Sequence, residues 1–425
     1  MRVIASVVAS TAALLAASTA AAETVAVTAS RLIQVETGRV IQNPVVVITD
    51  GRVAAVGAQG QVAIPADARR VDLPGKTILP GLIDMHVHLD SSPYLMGYTG
   101  LQYGDRFSSV IQVPHAQATL RAGFTTVRNV GSDGWNDVGL RQAIDDGFLV
   151  GPRVVSAAYS FGATGGHCDS TYFPPSMEER NPFNADSVDE ARRSVREVRK
   201  YGAQVIKICA TGGVFSRNTE PGQQQMTLAE MTAVVEEARM WGLRVAAHAH
   251  GAAGIKDAIR AGVTTIEHAS LIDDEGIRLA KERGAWLSMD IYNTDFTQSE
   301  GRKNGVLEDN LRKDREIGEL QRQNFQRAVR AGVRMVYGTD AGIYPHGDNA
   351  KQFAVMVRYG MTPLQAIQSA TIEASRALGM EDRVGSLQVG RFGDLIAVDG
   401  DPLTDVTVLE RRPFVMKGGV EVRLP

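Results

Sequence analysis

The sequence predicts a (β/α)8 barrel that carries a small β-sandwich domain built from both ends of the chain. Two observations lead to this α/β fold class. Apolar strand-like runs alternate with helical stretches through the middle, and both ends are rich in short strands and turns. Alternation favours parallel strand pairing, and roughly 250–300 residues is the size of eight such units. The alternative is an open doubly wound sheet, but its nucleotide-binding form needs a glycine-rich turn after the first strand, where this chain has "HVH".

Residues 1–22 predict a secretory signal peptide that is cleaved from the mature protein. They contain one arginine, then a stretch of small apolar residues, then Ala20-Ala21-Ala22, which is the order of a basic start, an apolar middle and a cleavage site. A membrane anchor is the competing interpretation, but the stretch is rich in Ala, Ser and Thr and ends at Glu23, which makes a poor spanning helix. We therefore expect a periplasmic or secreted protein that is not membrane-bound after cleavage.

Residues 23–76 and 385–425 are expected to form the composite β-sandwich domain, and residues 77–384 the barrel. The N-terminal part contains "VVVITDGRVAAVG", in which Asp50-Gly51 separates two apolar runs as in a tight hairpin. The C-terminal part contains "GDLIAVDGDPL" and "FVMKGGVEVR", which are short strands split by turn residues. Barrel strands are expected near residues 77–88, 124–130, 153–160, 203–210, 244–250, 264–269, 286–291 and 334–340.

The composition is that of an ordinary soluble protein and excludes some classes of function. Charged residues make up 22% of the 425 residues, and the formal net charge is −3. Nothing in this balance favours binding to nucleic acid or to an anionic membrane. The chain has two cysteines, Cys168 and Cys209. Because they are far apart in sequence, we expect no disulfide framework and a fold that is stabilised by its core alone.

Polar side chains fall at the predicted strand ends, which in a parallel barrel form the active face. Side chains alternate along a strand, so two histidines that are two residues apart lie on one face and can meet one ion. Such pairs end the first and the fifth predicted strands, and single ionisable residues end the sixth and the eighth. The residues in these positions are His86, His88, His248, His250, His268 and Asp340. Six of them in this pattern favour a metal site over chance polar residues.

Lys207 lies within the apolar run "QVIKICATGG". Burying an unpaired ammonium group costs on the order of several kcal/mol. One interpretation is a lysine whose amine reaches solvent at the strand end. The other is a modified lysine, whose neutral amine takes up carbon dioxide to form a carbamate, an anionic oxygen ligand that could bridge two metal ions. The histidine-rich surroundings favour the carbamate.

Imidazole and carboxylate donors suit zinc and leave coordination positions open for water. We expect two divalent ions, ~3.5–4 Å apart, that hold a bridging hydroxide of lowered pKa. Asp340 is expected to take the proton of the attacking group and later deliver it to the leaving amine. Zinc is the expected metal, although manganese and cobalt accept similar ligands.

In their order along the chain, "HVH", Lys207, His248, His268 and Asp340 resemble the ligand set of the amidohydrolase superfamily of binuclear-metal hydrolases. The closing "GRFGDLIAVDGDPL" is similar to the C-terminal signature of that superfamily. The likeness covers nearly the whole chain after the predicted signal peptide. "GATGGH", "KICATGGVFSR" and "GTDAG" look most like the imidazolonepropionase-like dipeptidases that act on Xaa-Pro, Xaa-Arg or Xaa-Lys. That group also contains amidases that hydrolyse ochratoxin A.

The resemblance implies how the ligands are shared and how the protein assembles. One ion is implied to lie between the histidines of "HVH", His86 and His88, and Asp340. The other is implied to lie on His248 and His268, with carboxylated Lys207 bridging the two. Relatives in this group form homo-oligomers, often octamers, and we expect the same here.

Four further assignments concern catalysis and the substrate. His250 is assigned to the substrate, because His248 aligns better with the fifth-strand ligand of the superfamily. His167, in "GGHC" after the third strand, is expected to polarise the scissile carbonyl or to bind a carboxylate; a loop histidine without such a role is the alternative. Arg217 can pair with a free carboxylate, and Tyr292 follows the seventh strand and is expected to touch substrate.

Together these observations predict an enzyme that cleaves the amide bond before a C-terminal amino acid. The substrate would be a dipeptide or another small molecule, such as an N-acyl amino acid or ochratoxin A. An alternative is cyclic amide hydrolysis of the imidazolonepropionase type, which the signal peptide disfavours. An alternative from another class is a non-catalytic binding protein on the same fold, which the complete ligand set disfavours.

Overall fold

The computed structural model describes residues 23–424. The predicted signal peptide, residues 1–22, lies outside the described residues, so its cleavage and the export of the protein stay predictions. Within the described range, no helix combines the length and the apolar character needed to span a membrane.

The strands are numbered in chain order, and the first five belong to the N-terminal part. The strands are β1 Thr24–Gln34, β2 Arg39–Gln42, β3 Pro44–Thr49, β4 Arg52–Ala58, β5 Arg69–Pro80, β6 Leu82–Val87, β7 Phe124–Asn129, β8 Arg153–Ser156, β9 Val205–Cys209, β10 Arg244–Ala249, β11 Thr265–His268, β12 Trp286–Ser288, β13 Met335–Val336, β14 Leu395–Asp399, β15 Phe414–Lys417 and β16 Val420–Glu421.

The helices lie mainly between the central strands. The helices are α1 Phe107–Arg121, α2 Asn136–Asp145, α3 Val188–Lys200, α4 Leu228–Met240, α5 Ala252–Ala261, α6 Asp274–Arg283, α7 Asn293–Glu300, α8 Glu308–Ala331, α9 Gln352–Arg358, α10 Pro363–Ser369 and α11 Ile372–Leu378. The start of α4 shows why they begin where they do, because Thr227 and Glu230 form a reciprocal capping box that satisfies backbone N–H groups at the helix start.

Strands from both ends of the chain assemble into one eight-stranded sheet, in the order β16-β15-β14-β5-β1-β3-β4 with β2 beside β1. The predicted union of the two termini is therefore present. The predicted second, facing sheet is not confirmed, because the strands of both ends belong to one hydrogen-bonded sheet, in which β5 pairs with β1 in parallel and with β14 in antiparallel. The last N-terminal strand of this sheet, β5, continues to Pro80, whereas the sequence predicted that the N-terminal part of the domain ends at residue 76.

The eight central strands, β6 to β13, are parallel and alternate with helices, as in a TIM-barrel-type fold. They lie in two sheets, β6-β7-β8 and β9-β10-β11-β12-β13. At the seams between the sheets only single bridges are formed, Phe161 to Ile208 and Val87 to Ala341. The ladder is therefore not continuous around the barrel in these residues. A Cβ at Gly81 would lie 2.1 Å from Thr125 Oγ1, so only glycine lets β6 begin against β7.

The central strands are buried on both faces, which explains their nearly continuous apolar sequences. The side chains of β6, β7, β9 and β10 are almost all inaccessible to solvent. The terminal sheet contacts the same core through Ile33, Leu79 and Ile396. Its opposite face has a smaller core of its own that includes Val46 and Leu395. The small domain is therefore docked on the barrel through one apolar face.

Cys168 and Cys209 form a disulfide, so the prediction that no disulfide stabilises the chain is wrong. The two cysteines are 41 positions apart, and their Cα atoms are 5.7 Å apart. Neighbouring parallel strands bring the segment after β8 beside the end of β9, and this proximity is not visible in the spacing of the cysteines. Closing a loop of this length lowers the conformational entropy of the unfolded chain, which stabilises the folded protein by ~3–4 kcal/mol.

Candidate metal centre

The strand-end residues converge on one cavity of about 700 Å³ at the carboxyl ends of the central strands. Two histidine pairs reach it, one at the end of β6 and one at the end of β10, and single residues reach it from the ends of β11 and β13. The predicted ligands that line the cavity are His86, His88, Lys207, His248, His268 and Asp340, together with His250 and His167. The topology therefore brings together the side chains that the strand-end pattern predicts.

The first pair meets at Asp340. His86 Nε2 is 3.3 Å and His88 Nε2 is 3.4 Å from Asp340 Oδ1. The other ring nitrogens are held from behind, since His86 Nδ1 donates to Glu267 Oε2 over 3.1 Å and His88 Nδ1 to the Gly131 carbonyl over 3.0 Å. Both rings therefore present Nε2 to the same point, and supports of this kind fix the tautomer of metal-ligating histidines.

Glu267 is part of a buried ion pair that sequence reasoning overlooked. Its Oε1 accepts from Arg128 Nη2 over 2.7 Å, and Arg128 Nε donates to the Met85 carbonyl over 2.6 Å. Burial alone would raise the pKa of Glu267, but the guanidinium of Arg128 and the contact with His86 hold it well below its usual range. Arg128 and Glu267 lie in the apolar runs "TTVRNV" and "TTIEHAS". A charged residue within an apolar run is the same signal that singled out Lys207.

The second pair uses different nitrogens. His248 Nε2 donates to the Gly212 carbonyl over 3.2 Å, which leaves Nδ1 free to act as a ligand. His250 Nδ1 is hydrogen-bonded to Ser270 Oγ over 2.8 Å, which leaves Nε2. The two rings are nearly perpendicular, with centroids 4.7 Å apart. Possible ligand atoms of His248, His250 and His268 lie within 4.8 Å of one another, so the geometry also places His250 within reach of an ion, and its assignment to the substrate stays a prediction.

His268 is oriented by Asp290, which sequence reasoning also missed. His268 Nδ1 donates to Asp290 Oδ1 over 2.9 Å, and Gln321 Nε2 donates to the same oxygen over 2.9 Å. His268, Asp290 and Asp340 form a further group whose possible ligand atoms lie within 4.8 Å of one another. Asp290 lies two residues after β12, in "WLSMD", so the rule that polar residues gather at strand ends could have found it.

Two of these residues have left-handed backbone conformations. His268 has φ 69° and Asp340 has φ 58°, values that are uncommon for residues other than glycine and that cost about 1–3 kcal/mol. Both stand where a central strand has ended, and the local turn directs each side chain toward the cavity. Such backbone strain clusters at functional sites, which is consistent with the location of His268 and Asp340 at the cavity.

Lys207 is buried within β9, with 3% of its surface exposed, and it borders the cavity. Burial lowers the pKa of its ammonium to about 8, although Glu267 and Asp340 oppose this shift. A larger share of the amine is therefore neutral near pH 7 than for an exposed lysine. A neutral amine is what carbamate formation requires, and the carbamate itself stays a prediction.

Three of the cavity histidines are held in the neutral form, whereas Asp340 and Glu267 raise the pKa of His86 in spite of burial. Burial lowers the pKa of His88 to about 4 and lowers the pKa values of His248 and His250 well below their usual range. Neutral imidazoles keep the lone pair that a metal ion needs. Asp340 remains ionised, because His86 and His88 hold its pKa below the usual value in spite of burial. Neutral nitrogens beside a carboxylate suit a divalent ion such as zinc.

His167 reaches the cavity from the segment after β8 and stacks on His248, with ring centroids 4.0 Å apart. Its Nδ1 is 2.9 Å from Ser216 Oγ, and its backbone N–H donates to Gln225 Oε1 over 2.8 Å. Burial lowers the pKa of His167 to about 3. A Cβ at Gly213 would lie 2.3 Å from His167 Nδ1. The position of this ring therefore requires glycine at the second of the two glycines in "TGGVF".

The two remaining substrate candidates lie outside the residues that line the cavity. Arg217 Nη1 donates to Tyr98 Oη over 2.7 Å, so its guanidinium already has a partner. The ring of Tyr292 contacts Tyr344 edge to face, with centroids 5.0 Å apart. Their substrate roles stay predictions.

Comparison with known proteins places the chain in a family. The amidohydrolase family model matches residues 77–422. The ochratoxinase of Aspergillus niger is 33% identical over 411 residues, which cover 90% of this chain and 83% of that protein. The imidazolonepropionase of a Geobacillus species is 23% identical, over 85% of this chain and 84% of that protein.

Solved structures show the same relationship. A Xaa-Pro dipeptidase with methionine bound in its active site superposes with a TM-score of 0.88 at 34% identity, covering 95% of this chain and all of that one. The crystal structure of A. niger ochratoxinase superposes with a TM-score of 0.83 at 31% identity, covering 94% of this chain and 96% of that one. On these matches, the chain is a hydrolase of amide bonds and belongs to the amidohydrolase family.

Proposed function

We propose that this amidohydrolase uses two divalent metal ions, zinc foremost, to cleave the amide bond before a C-terminal amino acid. The observation that carries the proposal is the convergence of both Nε2 atoms of the first histidine pair on Asp340 Oδ1, at 3.3 and 3.4 Å, beside the group formed by His248 and His268. Dipeptides and N-acyl amino acids are the substrate class, because the similar proteins include a Xaa-Pro dipeptidase and an ochratoxinase.

The described residues divide into two ligand sets. His86, His88 and Asp340 would hold one ion, and His248 with His268 the other, while carboxylated Lys207 would contribute to both. Ions bound there would polarise the scissile carbonyl and lower the pKa of a water molecule. Lys207 supports this division because it borders the same cavity as both sets.

Asp340 is the proposed proton carrier. Its carboxylate stays ionised beside His86 and His88, so it can accept a proton from the attacking water. The same proton then passes to the nitrogen of the leaving amine as the C–N bond breaks. His167 stacks on His248 and His250 stacks on His268, and we assign His250 and His167 to the substrate carbonyl or carboxylate, with Arg217 and Tyr292 as further candidates.

Export and assembly form part of the proposal. The disulfide between Cys168 and Cys209 supports a periplasmic or secreted location, because disulfides persist in oxidising compartments. We also propose a homo-oligomer, which could be an octamer, on the resemblance to the dipeptidase group. Size-exclusion chromatography with light scattering of the mature protein measures that state directly.

The proposed carbamate is tested with Lys207→Ala. We expect the variant to lose metal and turnover, and added short carboxylates to restore part of both, because they can occupy the place of the carbamate oxygens. Full metal occupancy in Lys207→Ala would contradict the bridging role.

The activity is tested with a panel of dipeptides and N-acyl amino acids that includes ochratoxin A. Release of free amino acid by the metal-loaded protein, its loss with a chelator and its return with added metal are the expected results. Turnover of imidazolonepropionate alone would instead favour the cyclic amide hydrolase, which the 23% identity to an imidazolonepropionase makes the second candidate. No turnover of any substrate would favour a non-catalytic binding protein.

A further inference from the structure

The Cys168–Cys209 disulfide lies at a seam of the barrel. The ladder is interrupted between β8 and β9, which belong to different sheets. Near the mouth, the seam is spanned by two hydrogen bonds, from Phe161 N to the Lys207 carbonyl over 3.2 Å and from Cys209 N to the Phe161 carbonyl over 2.9 Å. The covalent bond is therefore formed where backbone pairing is sparse.

Both cysteines adjoin residues of the candidate site. Cys168 directly follows His167, and Cys209 ends β9, two residues after Lys207. Both cysteines also line the cavity. The bond thus links the segment that carries His167 to the strand that carries Lys207.

Apart from its stacking on His248 of β10, the noncovalent contacts of His167 are made with the segment that follows β9. Its backbone N–H donates to Gln225, its Nδ1 is bonded to Ser216, and its ring lies against Gly213. The position of the His167 ring therefore depends on how closely the segment after β8 is held to the segment after β9. The disulfide is a covalent link between the segment after β8 and the end of β9.

The chain also makes room for the bond. A Cβ at Gly162 would lie 3.0 Å from the Cys209 carbonyl oxygen and 3.7 Å from Cys168 Cβ. The segment after β8 therefore passes against the disulfide at a residue without a side chain. This close packing indicates that the two segments fit together with the bond formed.

We propose that the Cys168–Cys209 disulfide positions His167 and secures the β8–β9 seam beside Lys207, so that the site is fully assembled only in the oxidised protein. The inference rests on the proposed function, in which His167 contacts substrate. Reduction supplies two electrons and two protons and converts the bond into two thiols. When the disulfide forms again, the two electrons and two protons pass to a disulfide oxidant such as oxidised glutathione, and the oxidant is converted into two thiols.

The test compares the full-length, metal-loaded protein with a Cys168→Ala/Cys209→Ala variant, each with and without a phosphine reductant, which becomes a phosphine oxide. These are the two cysteines of the chain, so the variant is a matched control for reductant effects elsewhere. We expect reduction of the wild type to lower kcat about tenfold or more, since small misplacements of a substrate-positioning group have effects of this size. Metal content and the far-UV circular dichroism spectrum should stay unchanged, and reoxidation should restore kcat.

The double variant should have the low kcat of the reduced wild type, and the reductant should not change it further. Equal kcat in oxidised and reduced wild type would overturn the proposal, as would free thiols at both positions in a peptide map of the unreduced protein. Loss of metal on reduction would also overturn it, because the effect would then not be one of positioning.

Hydrogen exchange provides a readout that does not need an active enzyme. Reduction should speed amide exchange in residues 161–169 and 205–213 but not in the terminal sheet. If the substrate panel yields no turnover, the proposed function fails, and this exchange experiment still decides whether the disulfide braces the seam. Unchanged amide exchange in both segments would contradict the proposal that the disulfide secures the seam.

Discussion

The two His-x-His pairs share one sequence pattern but stand in different surroundings. The rings of His86 and His88 present the same nitrogen and converge on one carboxylate oxygen. His248 is hydrogen-bonded through Nε2 and His250 through Nδ1, and their rings are nearly perpendicular. The motif therefore places two imidazoles at a strand end, while residues from other strands decide which nitrogen each one offers.

The supports of the two pairs also differ in charge. His86 is held by Glu267, which is ionised and paired with Arg128 in the interior. His250 is held by the hydroxyl of Ser270, and His248 by a backbone carbonyl. A carboxylate raises the basicity of the histidine that it holds more than a neutral acceptor does. Within the first pair this applies to His86, because His88 is held by the neutral Gly131 carbonyl.

The largest expected effect is at the point where the first pair converges. Asp340→Asn keeps an oxygen donor but removes the proton acceptor, so kcat should fall by about 10³-fold, within the range of general acid–base catalysis. Steady-state kinetics on the best substrate of the panel measures this loss, with circular dichroism as the control for folding. A variant that retains more than about a tenth of wild-type kcat would remove Asp340 from the proposed proton transfer.

The next effect is on metal affinity, and it compares the charged support Glu267 with the neutral support Ser270. Glu267→Gln leaves the guanidinium of Arg128 buried without its counter-charge and weakens the hold on His86, so metal affinity should fall about 10–100-fold. Ser270→Ala removes a neutral partner and should cost less. Competition with a chromophoric chelator measures both affinities under one set of conditions.

A thermal melt should accompany these titrations, because the unpaired Arg128 also lowers the stability of Glu267→Gln. An equal or greater loss of metal affinity in Ser270→Ala would show that the two pairs are supported alike.

The last expected effect is on stability rather than on activity or metal affinity, and it concerns Asp137, behind His88. Asn129 Nδ2 donates to the Gly131 carbonyl over 3.0 Å and to Asp137 Oδ2 over 3.3 Å, so Asp137 supports the acceptor of His88. Burial, with a smaller effect of Asp90, raises the pKa of Asp137 from 3.8 to about 7. Because the folded protein binds this proton more tightly, the contribution to stability is complete below pH ~4 and is lost as the pH rises to ~7.

Asp137→Asn removes this titration. Relative to the variant, the wild type should therefore lose free energy of unfolding between about pH 4 and pH 7, by up to about 1.4 kcal/mol for each unit of pKa shift. Urea unfolding of both proteins at several pH values measures the difference. A difference that is constant with pH would show that Asp137 has an ordinary pKa.

The sequence predicted which side chains gather at the cavity better than it predicted the residues that support them. His86, His88, His248, His268 and Asp340 could be placed together because strand alternation and the order of parallel strands fix where strand-end side chains meet. The strand-end rule marks one support, Asp290, but it does not mark Glu267, which lies within a strand. Glu267 shares β11 with His268 but holds a histidine on β6, and this pairing across the barrel depends on the three-dimensional arrangement of the strands.

The disulfide and the terminal sheet were hidden for a similar reason. Cys168 and Cys209 are 41 positions apart and become neighbours only because β8 and β9 are adjacent. Composition grouped the terminal strands, which share one sheet, but it does not say how they pair. The parallel pairing of β1 with β5 joins segments that are separated by a hairpin.

Metal analysis of the purified protein and of two single variants tests the central claim, that the first histidine pair binds one ion through both rings whereas the second pair binds the other ion through His248 alone. Metal ions per chain are counted by inductively coupled plasma mass spectrometry after reconstitution with zinc. The account predicts two ions per chain in the wild type, loss of one in His248→Ala, and retention of both in His250→Ala. A single ion per chain in the wild type, or the same loss in both variants, would contradict it.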